Sequence, residues 1–253
     1  VGGHAGHWVE DCFTSLRLHA AGWKSVYVPE ILARGLVPED PTAYFGQQLK
    51  WATGMFQALF TELPRHALRL RGWKKLTYLL SSTYYFSGVP ITLNLLLPIV
   101  FLFSALWAVE MPIRGYVTHL IPFAACFMAI HLLAQKWMRH PSERGLQWRG
   151  ALLKVANWPV YMLALISAIA GVNVPYLPTP KTRGRGTAPL LVLPHALIIL
   201  FSLGAIVYGW YSPLRDFEGT QLMMFFAALN SLLMLPAITI AGVEALGGKR
   251  SAP

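Results

Sequence analysis

The sequence predicts a mainly α, polytopic membrane protein: four transmembrane helices with interfacial amphipathic helices, preceded by the tail of a mixed α/β domain. Three observations lead there. Of 253 residues, 55% are hydrophobic and only 13% charged, a balance too apolar for a soluble domain. Four apolar runs reach the roughly 20 residues that a helix needs to cross about 30 Å of hydrocarbon. Residues 1–39, by contrast, mix polar helix and strand patterns and are too few to bury a self-sufficient core.

The net charge of +10 is carried by basic residues clustered in short loops beside the apolar runs, so anionic lipid rather than nucleic acid is the expected counter-charge. Cys12 and Cys126 lie in unlike contexts and give no disulfide framework, as suits a reducing compartment. Val1 to His7 is polar and glycine-rich, without the basic and apolar regions of a signal peptide. Chemistry is present from the first element, which leads us to expect the C-terminal part of a longer protein.

Glu10 and Asp11 open a short helix to Ala21, with Phe13, Leu16 and Ala20 on its buried side and Gly22 as its stop. Two adjacent carboxylates sit in its first turn, where Asp and Glu compensate the helix dipole. Val26 to Val28 reads as a brief strand closed by Pro29, and Ile31 to Val37 as a second. The next helix, Asp40 to Leu63, has Asp40 as N-cap, Pro41 at the first helical position and Pro64 at its end. At 3.6 residues per turn Gln47, Lys50, Trp51 and Gly54 share one stripe, which sets an amide, a cation and an indole side by side, with a bare backbone one turn on. Such a surface suits a phosphorylated, ring-containing ligand. It equally suits a helix lying among lipid headgroups.

His66 to Lys75 is basic and interleaved with Leu68, Leu70 and Trp73, an interfacial segment. The spans are expected at Tyr85 to Val109, Tyr116 to Trp137, Leu190 to Tyr211 and Leu222 to Val243. Ala151 to Gly171 is long enough to be a fifth, but Lys154, Asn157 and Pro159 interrupt it. Laid along the surface, it leaves the basic loops 65–75, 136–149, 181–185 and 249–250 on one side; were it to span, Lys181, Arg183 and Arg185 would lie outside, against the positive-inside rule. Four spans and an interfacial helix are therefore expected, with both ends of the chain cytoplasmic. His131, Gln135, Asn94, His195 and Asn230 lie within spans and are assigned bonds to neighbouring helices, not catalysis. Pro175 to Gly186 is too rich in Pro and Gly for regular structure and reads as a cytoplasmic loop that offers Thr179 and Lys181 to an anion, or as a plain connector.

Each motif is weak alone, and their order is specific. Val9-Glu10-Asp11, then Gly22-Trp23-Lys24-Ser25, then Gln47-Gln48-Leu49-Lys50-Trp51-Ala52-Thr53-Gly54 resembles the second half of a processive family 2 glycosyltransferase of the bacterial cellulose synthase kind. That family carries T-E-D followed by Q-x-x-R-W, and here Gln47 comes 36 positions after Asp11. The likeness continues through two spans, an interfacial helix, a gating loop of pattern F-x-V-T-x-K, here Tyr176-Leu177-Pro178-Thr179-Pro180-Lys181, and two more spans. Val9 stands for the motif's Thr, and Lys50 for its Arg, so that a planar fork becomes a point charge. In the loop Tyr176 and Pro178 replace Phe and Val, while Thr179 and Lys181 match.

The resemblance implies the following. Residues 1–39 are the C-terminal remnant of an α/β catalytic domain of GT-A type, 40–82 the interfacial helices, 83–138 and 189–245 paired spans, 139–174 an interfacial helix, 175–188 the gating-loop-like segment and 246–253 a cytoplasmic tail. Asp11 is the general base, with Glu10 shaping the site; Gln47, Gln48 and Lys50 stand near the donor's diphosphate, Trp51 stacks on the acceptor sugar, and Thr179 with Lys181 closes over the nucleotide. The partners are a nucleotide sugar, UDP-glucose first, a growing polysaccharide, the bilayer of a bacterial plasma membrane and, compatibly, an accessory export subunit. Mg2+ or Mn2+ is implied for the intact enzyme, its D-x-D motif being absent from this sequence, which by itself is expected to be inactive. Two other readings stay open: a non-processive transferase acting on a lipid phosphate, and a non-catalytic scaffold or transporter.

Overall fold

A computed structural model describes residues 3, 6–7, 9–28, 30, 33, 35–38, 40–105, 112–138, 141–172 and 189–247. The described residues are overwhelmingly helical: α1 (Glu10–Ala20), α2 (Pro41–Gln57), α3 (Leu63–His66), α4 (Lys74–Thr83), α5 (Gly88–Ser104), α6 (Ile113–Met138), α7 (Trp148–Ala156), α8 (Trp158–Ile169), α9 (Pro189–Tyr211) and α10 (Glu218–Gly247). A π-helical turn, Ala58–Glu62, joins α2 to α3, and a 3-10 turn, Tyr84–Ser87, joins α4 to α5. The chain is a mainly α polytopic membrane protein, with four stretches long and apolar enough to cross a bilayer: Lys74–Ser104, Ile113–Trp137, Leu190–Tyr211 and Glu218–Thr239. The first begins earlier than expected, because α4 runs on into α5 through the 3-10 turn.

Two expectations are corrected. Trp23–Val28 forms no strand, and no strand occurs among the described residues. Val26 is 85% and Tyr27 87% exposed; a strand exists by its ladder bonds, and no described neighbour supplies them. Pro64, expected as a helix stop, lies inside α3. The π turn before it changes the hydrogen-bond pattern, Leu63 N–H reaching back to the Ala58 carbonyl, so the chain passes the proline without ending the helix. The N-cap is as expected: Asp40 Oδ1 accepts the Ala43 N–H at 2.7 Å. So is Gly22, whose φ of +94° closes the end of α1.

The chain divides into two compact units, residues 1–92, 157–192 and 239–253 in one, and 93–156 with 193–238 in the other. In the first, α2 lies along α8, with Ala52, Phe56, Val160, Tyr161 and Ala164 as a buried core. Gly88 lets the start of α5 approach α8, since a Cβ there would stand 2.7 Å from Tyr161 Cβ. The segment 151–171 is two helices rather than one, α7 ending at Ala156 and α8 starting at Trp158.

In the second unit His195 and Asn230 join helices as the sequence suggested, whereas Gln135 bonds a loop and His131 Nε2 has no hydrogen-bond partner among the described residues. His195 Nε2 lies 2.9 Å from the Ala156 carbonyl; Gln135 exchanges two hydrogen bonds with the backbone of Gly145, at 2.8 and 2.7 Å. Asn230 Nδ2 donates to the Asn94 carbonyl at 3.0 Å. Pro98 explains that last bond. A proline four residues on cannot donate to the Asn94 carbonyl, and in hydrocarbon such an acceptor needs another partner. Along α6 the apolar side chains face outward, Phe123, Phe127 and Ile130 being 65–70% exposed, as lipid contact requires.

Candidate functional site

The start of α1 is seated on the second half of α2. Val9, which precedes Glu10, is buried with Phe13 against Ala58, with Cys12 and Met55 packed around them. The close approach depends on Gly54: a Cβ at that position would lie 2.9 Å from Val9 Cγ2 and 3.0 Å from Cγ1. His7 stacks on Phe13 with ring centroids 3.9 Å apart, and its Nε2 lies 2.8 Å from Gln57 Oε1. Both carboxylates of the first turn, Glu10 and Asp11, remain exposed. Asp11 Oδ1 accepts the N–H of Cys12 at 2.7 Å, which fixes the carboxylate at the helix end. Burial, and then the Asp11 charge, push the Cys12 thiol up to about 11, so it is protonated at neutral pH and no nucleophile.

On α2, Trp51 is 42% exposed while its neighbours Ala52 and Thr53 are buried, so the indole stands out from the packed face. Gln47 and Lys50 are half-buried on the same stripe, which ends at the Gly54 notch where Val9 rests. The structure thus brings the Val9-Glu10-Asp11 turn within one helical turn of the Lys50–Trp51 pair along α2. Burial lowers the Lys50 ammonium below the usual lysine value. Gln48 faces the other way, its Oε1 accepting from Tyr161 Oη at 3.4 Å on α8. Nearby, Asn157 Nδ2 donates to Tyr44 Oη at 2.9 Å, while burial raises the Tyr44 phenol. Thr179 and Lys181 lie in 173–188, outside the described residues.

Glu62 completes the mounting of α1, and the sequence reading missed it. The π turn carries its carboxylate inward, where it takes Arg17 Nη2 at 3.2 Å, Arg65 Nη1 at 3.4 Å and His66 Nε2 at 3.3 Å. Burial alone would raise this acid; the Arg17 hydrogen bond and the charges of Arg17, His66 and Arg65 outweigh it and hold the carboxyl below its ordinary value. The i, i+3, i+4 spacing of Glu62, Arg65 and His66 was the available signal. The opposite end of α1, ~15 Å from Asp11 at 1.5 Å per residue, borders a cavity of about 780 Å3 lined by residues that include His19, Lys24 and Arg71.

Among the described residues no group of three or more His, Cys, Asp or Glu is placed to hold a metal ion, so the divalent cation that the resemblance implies has no complete ligand set there.

A short helix bearing two exposed carboxylates is notched into an amphipathic helix that presents an amide, an ammonium and an indole, and membrane-crossing helices follow in sequence, which defines the class as a polytopic membrane protein. The family model described as cellulose synthase matches residues 1–204. The chain belongs to the cellulose synthase family. Among its relatives, cellulose synthase-like protein D4 of Arabidopsis thaliana is 27% identical over 234 residues, covering 83% of this chain and 20% of that protein. The UDP-forming cellulose synthase catalytic subunit of Komagataeibacter sucrofermentans is 35% identical over 105 residues, 41% of this chain and 14% of that protein. Cellulose synthase 1 catalytic subunit of Komagataeibacter xylinus is 36% identical over 104 residues, with the same shares. The chain spans a fifth or less of the length of these relatives.

Proposed function

We propose that the protein is part of a membrane-integrated, inverting glycosyltransferase of family 2 type, which moves a hexose from a nucleotide sugar onto a growing cellulose or related β-glucan chain and exports the polymer through its own channel. UDP-glucose is the first candidate donor, and a bacterial plasma membrane the setting, with both ends of this chain cytoplasmic. The observation that carries the reading is the seating of the Val9-Glu10-Asp11 turn at the Gly54 notch, one turn along α2 from Lys50 and Trp51.

In this reading the acceptor hydroxyl oxygen attacks the anomeric carbon on the face opposite the leaving group. Its proton passes to the Asp11 carboxylate, and the anomeric carbon–oxygen bond breaks with its electron pair leaving on the nucleoside diphosphate. A sugar hydroxyl is a poor nucleophile, and a carboxylate within hydrogen-bond reach relieves the charge that builds on it. Exposure of Asp11 leaves room for the acceptor. The exposed face of Trp51 suits the C–H face of a pyranose, and holds the acceptor end in position. Lys50, with Gln47 beside it, offsets charge on the departing diphosphate; Glu10 and Gln48 shape the surroundings. Thr179 and Lys181 would close over the donor and exclude water. A divalent cation, if used, would neutralise the diphosphate.

The test uses the intact protein in proteoliposomes with labelled nucleotide sugars. Wild type is expected to give long polymer, and Asp11→Asn to lower synthesis by about 10²–10⁴-fold, the range of a lost general base. Undiminished synthesis by Asp11→Asn would remove its role. A single-sugar lipid product would favour a non-processive transferase instead.

A further inference from the structure

The cavity at the far end of α1 is walled by two short stretches that are distant in sequence, residues 22–25 and 68–74. Its polar lining is almost entirely cationic: Lys24, Arg69, Arg71 and Lys74, with Ser25 and His19 beside them. Three contacts fix the walls. Lys74 Nζ donates to the Trp23 carbonyl at 3.1 Å, tying the stretches together. His19 joins the first stretch to α4, with Nδ1 2.8 Å from Tyr78 Oη and Nε2 2.8 Å from Ser25 Oγ. Burial, and then the Lys74 charge, lower the His19 imidazole, so it serves as a neutral strut rather than a further cation.

The ion pairs among the described residues converge on Glu62, and none involves Lys24, Arg69, Arg71 or Lys74. A walled space with four cations and no described carboxylate calls for an anion. Its setting says which. Lys74 opens the first membrane-crossing stretch, Lys74–Ser104, so the cavity stands where that stretch begins. Just before that stretch Leu68 is 95% and Trp73 80% exposed, an aliphatic and an indole side chain left out of the protein core, as suits residues that meet lipid beside a headgroup.

We propose that this cavity is a binding site for the phosphate of an anionic phospholipid, with Lys24, Arg69 and Arg71 gripping the headgroup while Leu68 and Trp73 lie against its acyl chains. The site is separate from the Asp11 surface and stands whether or not the transferase reading holds. Arg supplies planar donors that match phosphate oxygens, and Ser25 adds a neutral hydroxyl at the rim.

Delipidated intact protein in a neutral detergent is titrated with short-chain phosphatidylglycerol, with phosphatidylcholine of the same chain length, and with inorganic phosphate, and bound lipid is counted by native mass spectrometry. Wild type is expected to prefer phosphatidylglycerol over both. Lys24→Gln, and the pair Arg69→Gln with Arg71→Gln, should weaken it by about fivefold for each charge removed. Lys75→Gln, an exposed cation outside the cavity, should leave it within about twofold on the same scale. Equal weakening by Lys75→Gln would mean diffuse surface charge and overturn the site, as would indifference between the two lipids. Inorganic phosphate binding as tightly as phosphatidylglycerol would overturn the lipid as its occupant. Lys24 lies outside every helix, so its variant keeps the test decisive if the arginine pair disturbs folding.

Discussion

Gly54 is the residue on which the geometry of the candidate site turns. In an exposed helix, replacing it by Ala would stabilise by about 1 kcal/mol. Here the added Cβ would meet both Cγ atoms of Val9 at 2.9–3.0 Å, and a β-branched side chain has little room to turn aside. Overpacking of that kind costs about 1–3 kcal/mol, so the clash wins or at best cancels the gain. Gly54→Ala is therefore expected to lower polymer synthesis more than it lowers Tm, by shifting the turn that carries Asp11. Removing the obstacle, in Gly54→Ala with Val9→Ala, should restore much of the activity. Synthesis assays and thermal melts on the single and double variants would settle it, and an active Gly54→Ala would show that the seating does not matter. The sequence exposed Gly54 as a bare position on the stripe; only the coordinates reveal that its occupant is Val9.

At the level of elements, the π turn and its buried acid hold α1 in place. Glu62 has a carboxyl lowered below its ordinary 4.5, so its ion pairs stabilise the fold fully above that pH and the contribution is lost as pH falls through the lower folded value. Glu62→Gln should therefore lower Tm clearly at pH 7, and the gap to wild type should close as the pH is taken below 4.5. A gap that persisted in acid would point to packing rather than charge. Local pattern exposed α1, the Asp40 cap and the four spans, because each follows from a period or a cap within its own segment. It did not expose the π turn, whose Glu62 finds a partner far away in sequence at Arg17, nor the basic cavity, whose walls are some 45 residues apart in sequence and whose cations read simply as loop charge. The strand pattern at Val26–Val28 misled because it describes a residue's preference and not the presence of a partner.

For the whole molecule, the distribution of basic loops makes a topological prediction. If α7 and α8 lie at the surface, cysteines placed at Lys75 and Ser251 should react with an impermeant maleimide from one side of the membrane, and one at Asp216 from the other. Should Asp216 label from the Lys75 side and Ser251 from the other, the segment 148–169 crosses the bilayer and the loop bearing Thr179 and Lys181 moves away from Asp11. Each of the four spans also contains a proline, Pro98, Pro122, Pro194 and Pro236. For Pro98 the partner is visible, since the Asn94 carbonyl left over by the ring is taken up by Asn230. The pair behaves as a lock and its key. If the ring were lost, the carbonyl would return to its own helix and strand an amide in oil; if the amide were lost, the oxygen would be stranded instead. Randomising both positions and selecting for assembled protein should therefore yield survivors that keep both or discard both, with single losses rare.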